Sequence, residues 1–73
     1  MTDRLSPSTA ELLTDLLKEL ASELDLHYED EDFFALAPTI ETMKATAFLL
    51  QENGVQPPTV YEHVLRRFNK HRN

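Results

Sequence analysis

The sequence predicts an all-α fold: a small helical bundle of three principal helices and one short additional turn. Three observations lead there. Apolar residues recur at three- and four-residue spacing in three separate stretches, each stretch is bounded by capping or proline signals, and glycine occurs once in 73 residues. A chain of this length forms a single domain with one core, burying about 60% of the surface that its unfolded form exposes. Residues 1–73 are therefore read as one helical domain, with about 1–6 and 71–73 frayed, and without space for a deep catalytic cavity.

The first helix is marked by Ser6-Pro7, a cap followed by a proline suited to the first turn. Ser8-Thr9-Ala10-Glu11 offers an overlapping capping box, and Leu5 is placed to act as a hydrophobic staple. The helix should run to about Leu24. Leu13, Leu16, Leu17, Leu20 and Leu24 fall on one face, expected to be core, with Leu12 at its margin.

From Asp25 the chain should form a loop, because the run Glu29-Asp30-Glu31-Asp32 carries too much like-charge repulsion for a continuous helix. Asp32-Phe33-Phe34-Ala35-Leu36 should anchor that loop, forming one short helical turn, since two phenylalanines and a leucine belong out of water.

Pro38 suits a first turn and disfavours helix at Ala37, so a second helix should begin at Pro38 or Thr39. It should stop near Asn53, where Gly54 is a natural C-terminal cap. Ile40, Met43, Ala47 and Leu50 form its apolar stripe, widened by Phe48 and Leu49. Val55-Gln56-Pro57-Pro58 is a stiff connection. A last helix from about Pro58 to Lys70 should bury Val60, Val64, Leu65 and Phe68, with Arg66, Arg67 and Lys70 near its end, where cations favour the helix dipole.

Charge is divided unevenly. Residues 1–41 carry eleven acids against Arg4 and Lys18, a balance of -9, and residues 42–73 carry Glu52 and Glu62 against five bases, a balance of +3, which together give the net -6. An acidic body of this kind repels nucleic acid and anionic membrane and attracts basic surfaces. Glu11, Asp15, Glu19 and Glu23 stack at four-residue intervals along the first helix, forming a ridge that is either simply solvated or offered to a basic partner.

There is no cysteine, hence no disulfide framework or thiolate metal site, as suits an intracellular protein. The opening MTDRLSPSTAE lacks an apolar signal region, and no apolar run approaches the roughly 18 residues of a membrane span. A soluble, cytoplasmic protein without a membrane partner is the expectation. No glycine-rich phosphate loop, zinc-protease pair of histidines or nucleophile elbow occurs, which argues against an enzyme. His27, His63 and His71 lack zinc-site spacing, and the acidic run lacks the alternating ligands and glycine of a calcium loop, so neither a metal nor a cofactor is expected.

Two family resemblances enter here. A long apolar helix, a loop, Asp32-Phe33-Phe34-Ala35-Leu36 and a helix ending in Gly54-Val55 resemble an acyl or peptidyl carrier protein over about Leu12 to Leu65. Tyr61-Glu62-His63 is similar to that family's third helix. The resemblance implies a helical bundle that docks onto biosynthetic enzymes and carries phosphopantetheine on a serine at the start of the second helix. This chain has Ala37-Pro38-Thr39-Ile40 there, and Thr39 stands nearest to the missing serine. The methyl group of threonine crowds the attack that a transferase must promote, so no prosthetic group is expected.

The second resemblance is local. Leu50 to Val64 is similar to the turn and recognition helix of tetracycline-repressor-type regulators, where a Gly-Val turn precedes Thr-[LV]-Tyr-x-His. It implies DNA binding by residues 50–64 and the basic last helix: Thr59, Tyr61 and His63 near bases, Arg66 and Arg67 on phosphates.

The reading favoured by the sequence is a non-catalytic, carrier-protein-like interaction or regulatory module without phosphopantetheine. It would bind a protein partner with a basic surface, such as a biosynthetic enzyme, through Glu11, Asp15, Glu19, Glu23, Asp30, Glu31, Asp32, Thr39, Ile40 and Met43. The DNA-binding regulator is the alternative.

Overall fold

Asn53 joins the two ends of the first helical hairpin. In the computed structural model, which describes residues 4–70, its side-chain Oδ1 accepts the Leu5 N–H at 3.0 Å and its Nδ2 donates to the Leu49 carbonyl at 2.9 Å. The start of α1 (Pro7–His27) is thereby tied to the end of α2 (Ala37–Glu52), and a 3₁₀ helix (Asp30–Phe34) and α3 (Thr59–Lys70) complete a small helical bundle, as expected. Among the described residues there is no strand. The fraying expected of residues 1–3 and 71–73, like the positions of His71 and Arg72, lies outside the described residues. Leu5 and Ser6, expected to fray, are instead tied down.

Ser6 caps α1, its hydroxyl accepting the Thr9 N–H at 3.1 Å. The helix runs a turn beyond Leu24 to His27, where a loop was expected, because its end has a cation to interact with: Arg67 donates to the Asp25 carbonyl and carboxylate at 3.0 and 2.8 Å.

The buried face of α1 also differs from expectation. Ala10, Leu17, Ala21 and Leu24 are buried and Leu13 partly so, but Leu16 and Leu20 are 65% and 40% exposed. α1 packs chiefly on α3 and secondarily on α2. The alanine side of the helix faces inward, and Leu16 and Leu20, roughly 110° and 70° around the helix from the centre of the buried face, are left outside.

The acidic run is ordered by its own carboxylates. The Asp32 carboxylate accepts the Glu29 N–H at 3.0 Å, and the Asp32 N–H donates back to the Glu29 carbonyl at 2.9 Å. The expected short turn thus begins at Asp30, earlier than Asp32. Phe33 is wholly buried and Leu36 partly so, whereas Phe34, expected to anchor the loop, is 74% exposed. Consecutive residues of a 3₁₀ turn point about 120° apart, so one phenylalanine reaches the core and its neighbour does not.

α2 begins at Ala37, with Pro38 second, and buries Ile40, Met43, Ala47 and Leu50. Phe48 and Leu49 do not widen that stripe; both stay exposed. Its end is a Schellman motif: Val55 N–H donates to the Leu50 carbonyl at 2.9 Å and Gly54 N–H to the Gln51 carbonyl at 3.0 Å. Gly54 has φ 75°, the left-handed conformation that this motif requires. α3 buries Tyr61, Val64 and Phe68, with Val60 and Leu65 only partly covered.

Candidate functional site

Two surfaces emerge from this packing, and they separate the acids that hold the fold from those that do not. The first is a clasp centred on Arg67. Its Nε donates to Asp30 at 2.7 Å, one terminal nitrogen reaches Asp25, the other donates to the Tyr28 carbonyl at 3.0 Å, and the guanidinium lies 4.4 Å from the centre of the Phe33 ring. A single planar group thus joins the end of α1, the acidic turn and the core. Burial works against its charge, but the hydrogen bonds to Asp30 and Asp25 outweigh that and raise its pKa further above an already high value. His63 adds to the same node, its Nδ1 lying 3.1 Å from the Asp25 carboxylate.

The second surface lies on the opposite margin of α1. Glu11, Asp15, Glu19 and Glu23 are all exposed, in one row, as the spacing predicts. Leu12, Leu16 and Leu20 each follow one of these acids in sequence and form an exposed apolar row beside them. Beyond that row is an apolar groove of about 120 Å³ between α1 and α2, lined by Leu13, Leu16, Leu17, Leu20, Met43 and the two threonines Thr42 and Thr46. The Thr42 and Thr46 hydroxyls donate to the carbonyls of Pro38 and Thr42, so their methyl groups are the parts left to face a ligand.

The residues expected to bind a partner therefore divide. The four acids of α1 stand together, and Glu31 is exposed. Asp30 is committed to Arg67, and Asp32 closes its own turn. Ile40 and Met43 are core residues, each 1% exposed, because the helix bearing them turns its apolar stripe toward α1; only the edge of Met43 reaches the groove. Thr39 is the half-buried third residue of α2.

The residues of the DNA-binding alternative are also dispersed. Tyr61 is 7% exposed and packs in the core, where burial, followed by Glu62 and Glu41, raises its phenol pKa. Arg67 is held in the clasp, while Thr59, His63 and Arg66 remain exposed. A shallow groove of about 390 Å³ between α2 and α3 is lined by Lys44, Phe48, Glu62 and Arg66 among others. Lys44 is itself 3.4 Å from Glu41.

Among the described residues no three histidine, aspartate or glutamate side chains are grouped so as to hold a metal ion. No described helix is long and apolar enough to cross a membrane. No protein-family model, curated protein or solved structure matches the chain.

The exposed leucine row was missed by the sequence reading, although its signal was present. α1 holds seven leucines, Leu12, Leu13, Leu16, Leu17, Leu20, Leu24 and Leu26. A helix in a bundle of three buries a stripe little more than 100° wide, which cannot hold them all.

Proposed function

We propose that this chain is a non-catalytic recognition module, carrier-protein-like in plan and without a phosphopantetheine arm, that binds a protein partner bearing a basic surface. The observation that carries this reading is the pairing on α1 of four exposed acids with an adjacent row of exposed leucines. Acids alone are a solvated helix face. Large apolar side chains beside them supply the desolvation energy that a stable contact needs, and the charges select the sign of the partner.

The loop acids contribute less to this surface than the sequence reading assigned to them, because Asp30 and Asp32 are used within the fold. Regulation through DNA is the weaker reading. A chain of net charge -6 opposes phosphate, and Tyr61 and Arg67 are held by packing and by the clasp.

Panning the chain against a display library of short random peptides tests the reading. Enriched sequences should carry net positive charge, and enrichment should vanish when Glu11, Asp15, Glu19 and Glu23 are all replaced by glutamine. Enrichment of acidic sequences, or of the same sequences by the glutamine variant, would overturn it.

A further inference from the structure

The groove between α1 and α2 deepens this reading, and the inference rests on it: we propose that the occupant is a single amphipathic helix that lies along α1, leucine-type side chains in the groove and lysine or arginine over the acidic row. The shape argues for a helix. Leu13, Leu16 and Leu20 recur at three and four residues, so along α1 the apolar positions are spaced as the ridges of a neighbouring helix are spaced. From Leu12 to Leu20 the row is about 12 Å long, a little over two helical turns, and it is bordered on its far side by the small side chains of Thr42 and Thr46, which permit close approach.

An extended strand finds no partner here. The backbone along α1 and α2 is already hydrogen-bonded within each helix, and the described residues present no sheet edge to extend. A helix satisfies its own backbone and needs only side-chain contact.

Charge decides the identity of that helix. Glu11, Asp15, Glu19 and Glu23 run parallel to the leucine row for its full length, so a docked helix sets one flank against four carboxylates. A second copy of this chain would bring a body of net charge -6. Its basic helix α3 already packs its apolar side in the core and commits Arg67 to the clasp, leaving it without free leucine-type side chains to enter the groove. The complementary occupant is cationic on that flank, and its docking adds a fourth helix to the three already packed.

The probe is a synthetic amphipathic peptide with leucine at i, i+3, i+4 and i+7 and lysine on the flank beside them. Titration into the labelled chain, followed by amide NMR shifts and by calorimetry, should move Leu16, Leu20, Thr42 and Thr46 and leave Arg66 and Phe48 still. The peptide should gain helicity on binding. Leu16→Ser with Leu20→Ser, both exposed positions whose replacement preserves the helical spectrum, should weaken binding at least about tenfold.

The same peptide with glutamate in place of lysine should not bind. A lysine peptide that binds with shifts confined to the α2–α3 groove, or one that binds equally well when a central proline prevents helix formation, overturns the helical occupant while leaving a basic partner standing. Absence of binding by both the lysine peptide and any basic sequence from the panning overturns both. Self-association of the chain alone, with the same residues shifting, would assign the groove to a second copy.

Discussion

The Arg67 guanidinium is held 2.7 Å from the Asp30 carboxylate while stacking over Phe33, so one carboxylate of the most acidic segment of the chain is paired with the basic helix. The uneven charge distribution is thus in part an internal attraction between α3 and the turn beside α1. Replacing Arg67 with methionine keeps much of the stem but removes both ion pairs and the bonds to the Asp25 and Tyr28 carbonyls. The expected loss is about 2–3 kcal/mol, measured by urea denaturation. Arg67→Lys should recover less than half of it, since an ammonium cannot reach four acceptors in one plane.

Stability should fall at high pH through Tyr61. Its phenol pKa is raised in the folded chain, by burial first and by Glu62 and Glu41 next, so the unfolded chain ionises earlier. The contribution is complete below the ordinary tyrosine value of about 10 and is lost as pH rises through the folded value. Compared with the parent chain, Tyr61→Phe should show a smaller fall in melting temperature above that point. An unchanged slope would contradict the assigned burial.

Gly54→Ala isolates one backbone conformation. A Cβ at this position meets nothing within 4 Å, so the cost arises from the φ of 75° alone. About 1 kcal/mol is expected in chemical denaturation. A loss several times larger would mean that the turn after α2 bears more than the Schellman bonds.

On α1 stability and recognition should oppose each other. Asp15→Lys places a cation between Glu11 and Glu19, each four residues away, replacing two repulsive spacings with attractive ones. The chain should gain about 0.5–1 kcal/mol in thermal or urea unfolding at low salt. Affinity for a basic helical peptide should drop in the same variant. Both effects should shrink as salt rises.

Thr39 should stay unmodified. Incubation with a phosphopantetheinyl transferase and coenzyme A should leave the intact mass unchanged, because this hydroxyl is half-buried in the first turn of α2 behind Pro38. An added arm on Thr39 would make the chain an active carrier.

The helices were legible in the sequence because their signals are local. Ser6-Pro7, Gly54 and the spacing of Ile40, Met43, Ala47 and Leu50 mark ends and faces without reference to anything distant. What could not be read depends on pairing across the chain. Whether Leu16 and Leu20 or Ala10 and Ala21 turn inward is decided by where α3 lies, and the extension of α1 to His27 is decided by a guanidinium 42 residues from Asp25. The candidate surface was legible by half: the four acids follow from their spacing, whereas the leucine row beside them is recognisable only once the core has been filled by other residues.

The clasp also orders events in time. A chain emerging from the ribosome exposes Glu29-Asp30-Glu31-Asp32 and Phe33 well before residue 67 is available, so these carboxylates initially face one another without their counter-ion. The turn and the last residues of α1 should therefore settle only when α3 closes on them. A chain shortened to end before Arg67 should keep helix in α1 and α2 yet lose the ordered turn, making the closure of α3 the step that converts a helical hairpin into the packed bundle.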